Sequence, residues 1–229
     1  MEFNTVNCFE EFCTELRKAG FALGGANGEG IFTLCPYYGE KIKAHTGDKE
    51  TDPWEWRIRA VRECDDIAYG KFFFNKGGWI TKEWFPYFLA VRRKGQSFDD
   101  MYDSGVISGM EKRIYELVKE NNEISLGDIK NMLDLRKSDA SAFEKAITEL
   151  QMKMLITICN ETYKQSRSGK PYGWPVTTFC LVERFFPDEV FTHACEITVD
   201  DARDAITKRI QELNPEAKDS NIRKFISIT

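Results

Sequence analysis

The order of elements turns on Ser108-Gly-Met-Glu-Lys-Arg-Ile-Tyr-Glu-Leu-Val-Lys-Glu120 and on the two capped segments that follow it. Ser108 and Glu111 stand at capping-box spacing, and Met110, Ile114, Leu117 and Val118 then share one helical face. Asn121-Asn122 stops that helix. Ser125 caps a second helix over 126–133 that turns Ile129, Met132 and Leu133 inward. Ser138 caps a third over 139–151, where Phe143, Ala146, Ile147 and Leu150 recur at i, i+3, i+4 and i+7. A strand at 154–162, a polar loop at 163–173 and a strand at 174–183 complete the series. Three short helices followed by a two-stranded hairpin is the order of a winged helix-turn-helix.

Upstream, residues 5–19 form an amphipathic helix with Phe9, Phe12, Cys13 and Leu16 on one face and Gly20 as its C-cap. Residues 20–50 hold seven glycines and read as a long connection with one or two short strands. Between Trp54 and Phe88 lie eleven aromatics, among them four of the five tryptophans. Asp52-Pro53 opens a helix with Trp54, Ile58 and Val61 on one face. Asp66 to Phe74 is a strand, Asn75 to Gly78 a turn, and Trp79-Ile80 the return strand. Thr81 caps a helix over 82–93, and 95–107 is the one linker. Downstream, Thr198 caps a helix over 199–213, and Ile222 to Thr229 reads as a short strand. The fold class is therefore α+β. An aromatic-rich α+β region (1–105) packs on a winged helix-turn-helix (106–185), and a C-terminal helix and tail (186–229) close it.

Composition narrows the function. The 229 residues carry 32 Lys+Arg and 37 Asp+Glu, a net charge of -5, which excludes a globally basic nucleic-acid coat but not a local patch. The two ends are acidic, -3 over 1–50 and -3 over 186–229, whereas 106–185 is +1. No run is apolar enough to span a membrane, and the start MEFNTVNCFEEF lacks the basic region of a secretory signal, so the expected compartment is the cytoplasm. Seven scattered cysteines suit reduced, mostly buried thiols. His193-Ala-Cys195 stands alone, without the paired spacing of a zinc site, so neither metal nor cofactor is expected.

Two regions carry candidate chemistry. In a winged module the third helix enters the major groove by its N-terminal residues, here Lys137, Ser138 and Ser141, with Lys145 a turn later. The loop Tyr163 to Gly173 brings Lys164, Arg167 and Lys170 and no acid, which suits contact with phosphates. Asp139, Glu144 and Glu149 dilute the field along the helix, and winged helices also serve as protein-interaction modules. The second region joins Trp54, Trp56, Arg57, Arg59 and Asp65, where aromatic faces and guanidinium groups suit a flipped base or another planar ligand. The plain alternative is that those aromatics are core. Gly24-Gly25-Ala26-Asn27-Gly28-Glu29-Gly30 lacks the Lys-Ser/Thr ending of a P-loop.

The segment Trp79-Ile-Thr-Lys-Glu-Trp-Phe-Pro-Tyr-Phe88, with Arg92-Arg93 and the winged module after it, resembles the AlkZ-type winged-helix DNA glycosylases over about residues 52–190. The resemblance implies tandem winged helices, DNA binding, and excision of alkylated or crosslinked bases by water. That family's catalytic pair is Gln-x-Gln or Gln-x-Asp. Gln96, Gln151, Gln165 and Gln211 all lack that partner, so no catalytic residue carries over. Three readings follow. The first is an AlkZ-related DNA-binding protein of DNA repair, contacting DNA through the seven residues named above. The second is an enzyme or small-ligand sensor built on the aromatic region and the 20–50 loop. The third is a protein-interaction module.

Overall fold

Phe74 and Asn75 both take left-handed backbone (φ 50° and 59°), so the hairpin at the centre of the chain closes in two residues. That turn matches the natural twist of its strands, β2 (Ile67–Phe73) and β3 (Lys76–Thr81). Lys76, Gly77 and Gly78 therefore belong to β3 rather than to a longer turn. Gly77 is required there, because a Cβ would lie 2.3 Å from the Tyr69 hydroxyl. The computed structural model describes residues 1–227 except Arg167 and Gly169, with the backbone alone at Lys164 and Gln165.

Before the hairpin come α1 (Phe9–Ala19), β1 (Phe21–Leu23) and α2 (Pro53–Glu63). After it come α3 (Phe85–Arg93), α4 (Phe98–Asp103), α5 (Gly109–Glu120), β4 (Ile124–Ser125), α6 (Leu126–Met132), α7 (Ala140–Met152), β5 (Ile156–Gln165) and β6 (Pro171–Leu181). The chain ends in α8 (Val182–Phe185), α9 (Asp188–Glu196), α10 (Val199–Leu213) and α11 (Asp219–Ile226). The strands form one antiparallel sheet in the order β1-β3-β2-β5-β6-β4. Alternation along β1 to β3 divides the core. Ala22, Ile67, Tyr69 and Trp79 face α1, α2, α5 and α7, whereas Phe21, Ala68 and Ile80 face α3, α10 and α11. No helix among the described residues is long and apolar enough to cross a membrane.

The α+β class holds, and several local expectations are corrected. Trp54 is 41% exposed while Trp56 is fully buried, so α2 packs through Trp56, Ile58, Ala60 and Val61, and of the expected face only Trp54 turns outward. Thr81 stays in β3, its N–H spent on the Gly20 carbonyl, and α3 starts later, where Pro86 presets the first turn. The supposed linker holds α4, fixed by a Ser97–Asp100 capping box and by Phe98 stacked on Tyr115 at 3.7 Å. Met132 faces outward, because α6 ends there and Leu133 takes the inward position. Ser138 lies in a 3-10 turn (Lys137–Asp139) closed by the Arg136 N–H donating to the Asp139 carboxylate at 3.0 Å, and α7 starts at Ala140 with no side-chain cap from Ser138 or Asp139. The hairpin strands run further than their apolar parts, leaving a loop of only 166–170. The tail is helix α11, not a strand, since Ile222, Phe225 and Ile226 turn one helical face into the core.

Arginines close the ends of helices from other parts of the chain. Buried Arg92 donates to Met152 O at the end of α7 (3.0 Å) and to Phe225 O (3.0 Å) and Ile226 O (3.3 Å) at the end of α11. Arg184 serves the end of α5 through Val118 O (3.1 Å) and Lys119 O (2.6 Å), and Arg209 serves α1 through Ala19 O (3.0 Å). Each satisfies carbonyls that a helix leaves unpaired and opposes its negative pole. An ammonium group cannot span both helix ends that Arg92 joins. Arg92→Lys is expected to lower the unfolding free energy by about 1–3 kcal/mol, read from urea denaturation, and an unchanged midpoint would refute the staple.

Candidate nucleic-acid interface and ligand cleft

Lys137, Ser138, Ser141 and Lys145 are all exposed at the start of α7. Lys145 faces Glu149 at 3.6 Å, and nearby Lys130 is paired with Glu144 at 2.7 Å, so acids accompany the cations along this helix. Lys170 is exposed just before β6. Lys164 pairs in register with Tyr172 through its backbone, while its side chain and all of Arg167 lie outside the described residues. No hydrogen bond or ion pair joins the α7 set to the hairpin set among the described residues. The hairpin adds what charge counting missed: Tyr163 (54% exposed), Tyr172 (54%) and Trp174 (84%). Their interleaving with Lys164 and Lys170 was the available signal.

The second region is reordered by burial. Trp56 is core, its indole N–H donating to Lys49 O (3.1 Å) and its ring 4.9 Å from Phe12. Arg59 is spent on Glu50 (2.7 Å), Glu63 (2.8 Å) and the Phe9 ring (4.1 Å). Asp65 is exposed and lines neither cavity beside Trp54, and its neighbour Asp66 is the one that binds Arg17 at 2.6 Å. Trp54 and Arg57 remain. The guanidinium lies 3.4 Å from the Trp54 ring centre, donates to Trp54 O (2.7 Å) and reaches Glu161 of β5 at 3.4 Å. Burial pushes the Glu161 carboxyl above its ordinary value, against the pull of Arg57. Burial likewise raises the Tyr69 phenol.

Two cavities flank Trp54. One, about 370 Å³, lies between α2 and the hairpin and includes Glu161 and Tyr163. The other, about 380 Å³, brings Gly24 to Asn27 and His45 of the 20–50 connection against Trp54, Arg57, Tyr69 and Lys76. Sequence reading missed His45, Tyr69, Lys76 and Glu161: the first three meet through the Asp52-held connection and the β2–β3 hairpin, and Glu161 reaches Arg57 only because β5 lies beside β2. Neither of these cavities is lined by α7, whose Gln151 side chain is occupied by Lys71 N–H (2.9 Å) and Ile147 O (2.9 Å).

Asp52 holds this connection in place. Burial alone would raise its carboxyl, but the N–H groups of Gly47 (2.9 Å), Trp54 (2.8 Å), His45 (3.0 Å) and Thr46 (2.7 Å) outweigh it and hold it below the ordinary range. A lowered folded value contributes stability above the ordinary carboxylate range, and that stability is lost as pH falls through the folded value. Asp52→Asn should therefore cost about 1–3 kcal/mol near neutrality, with the gap closing toward acid. A gap independent of pH in paired denaturation curves would contradict this.

Fold and surface together define an α+β protein with an exposed, aromatic-tipped hairpin and a ligand-sized cleft beside it. The chain belongs to the AlkZ-related family, whose model matches residues 6–227, nearly its whole length. A search of curated proteins returns no match.

Proposed function

We propose that this AlkZ-related chain binds DNA and acts in DNA repair in the cytoplasm, with residues 106–185 working as a winged helix-turn-helix, 1–105 as the α+β region packed on it and 186–229 closing the fold. One observation carries the reading. The order α5-β4-α6-α7-β5-β6, with β4 paired to β6, supports a wing whose exposed tip mixes lysine with aromatics. Cations near phosphates supply affinity, and ring faces accept bases without regard to sequence. Lys137, Ser138, Ser141 and Lys145 would face the groove, with Lys164, Arg167 and Lys170 on phosphates. The acids along α7 make that helix the weaker contact. Base excision is not part of the proposal, because the family's glutamine pair has no counterpart here and Gln151 is occupied by the backbone. A second reading, a ligand site in the cleft, is favoured by the Trp54–Arg57 stack beside Glu161.

Changing Lys164, Arg167 and Lys170 together to Ala should weaken binding to every DNA sequence and flatten the slope of log K against log salt by up to about three. Fluorescence anisotropy over a salt series decides it, and an unchanged slope excludes the wing. Trp174 contributes little to the core, so Trp174→Ala should leave the melting temperature in place while costing about 1–3 kcal/mol of single-strand affinity. Equal affinity would remove stacking from the account.

A further inference from the structure

The 380 Å³ cavity has a composition unlike the rest of the surface. No Asp or Glu lines it, although acids outnumber bases in the chain. Its walls are Trp54 and His45, whose ring centres are 4.8 Å apart, and its polar groups are Arg57, Lys76 and the Tyr69 hydroxyl. The acids that accompany the two cations, Glu161 at 3.4 Å from Arg57 and Glu29 at 2.6 Å from Lys76, do not line it. Gly24 and Gly25 present bare backbone on the remaining side, and a Cβ added at Gly25 would meet nothing within 4 Å.

Each feature restricts the ligand. Trp54 and His45 pack on each other and Arg57 covers one Trp54 face, so a flat ring gains from contact with the exposed edges of this aromatic wall. Two cations and a phenol, with no acid at the surface of the cavity, favour an anionic group over a neutral or cationic one. The Tyr69 hydroxyl lines the cavity and can donate to an oxyanion. The guanidinium is held by the Trp54 carbonyl and ring, so it is oriented before a ligand arrives.

We propose that this cleft binds a planar heteroaromatic ring carrying an anionic group, the chemistry of a nucleoside monophosphate, with the ring on Trp54 and His45 and the anion on Arg57, Lys76 and Tyr69. The proposal rests on the reading of the cleft as a ligand site and is independent of DNA contact by the hairpin. The same chemistry is offered by a free nucleotide and by one nucleotide of a single strand.

Isothermal titration calorimetry separates these sources. The full chain is titrated with each free nucleoside monophosphate, the matching nucleosides, inorganic phosphate, and a short single-stranded oligonucleotide. At least one monophosphate should bind about tenfold more tightly than its nucleoside, the scale of one charge-assisted contact. Arg57→Met should weaken that binding by a similar factor, and Gly25→Leu, which the open space accommodates, should abolish it while leaving the melting temperature near that of the native chain. Binding of the oligonucleotide alone, lost in both variants, assigns the ligand to a strand and supports the same site. Failure of both monophosphates and oligonucleotide to bind at millimolar concentration overturns the proposal, as does binding that survives both substitutions. The variant with Lys164, Arg167 and Lys170 changed to Ala should keep full affinity for the free monophosphate, so a failure of the hairpin reading is distinguishable from a failure of this one.

Discussion

Arg92 is the point on which the assembly of the chain depends. It belongs to α3, on the face of the sheet opposite α7, yet its guanidinium reaches the ends of both α7 and α11. It lies between the Phe73 and Phe88 rings, at 5.3 and 5.2 Å, which shields those hydrogen bonds from water. Three segments far apart in sequence thus share one cation. Carbonyls at buried helix ends must find donors, and a rigid fork of five N–H groups can serve two ends where an ammonium serves one.

That choice bears on the surface charge. Arg92, Arg184 and Arg209 are committed to backbone carbonyls, as is Arg113, which donates to Leu133 O at 3.0 Å, while Arg93 is paired with Glu183 at 2.6 Å. Arg92 is buried among them, whereas Arg113 and Arg184 hold helix carbonyls from exposed positions. The middle of the chain is neutral to slightly basic by count, and part of its positive charge sits at helix ends rather than on one continuous face. What remains for a polyanion is concentrated in lysines of the hairpin and the start of α7.

Legibility in the sequence followed the range of the interaction. Caps and periodicity are local, so α5, α10 and the start of α2 were readable from Ser108, Thr198 and Asp52-Pro53. Errors fell where a distant partner decided. Trp54 and Trp56 sit in the same helical turn, and only the packing of Phe12 and Tyr38 against Trp56 determines which one is buried. Ile222 and Phe225 are strand formers by type, yet they pack as a helix because α3 and the Phe73 ring offer a matching surface. Of the cleft, Trp54 and Arg57 were legible as an aromatic and a cation near one another in sequence. Glu161 was not, since it reaches Arg57 only across the sheet, and His45 was not, since the Asp52 carboxylate that holds its N–H leaves no periodic mark in the sequence.

The junction of the sheet has a consequence for the order of assembly. β2–β3 and β5–β6 are hairpins closed by nearby residues, whereas β2 and β5 meet through the single pair Tyr69 and Ile158. Local hairpins form with little loss of chain entropy, while that one pair closes a loop spanning α3 through α7. Chain entropy thus favours the two hairpins over the seam between them as the first to form. Tyr69 lines the 380 Å³ cavity, which is built wholly within residues 23–77, whereas Glu161 lines the 370 Å³ one, which exists only once β5 lies beside α2. A molecule that occupies the latter would favour the assembled chain over forms in which β5 is undocked.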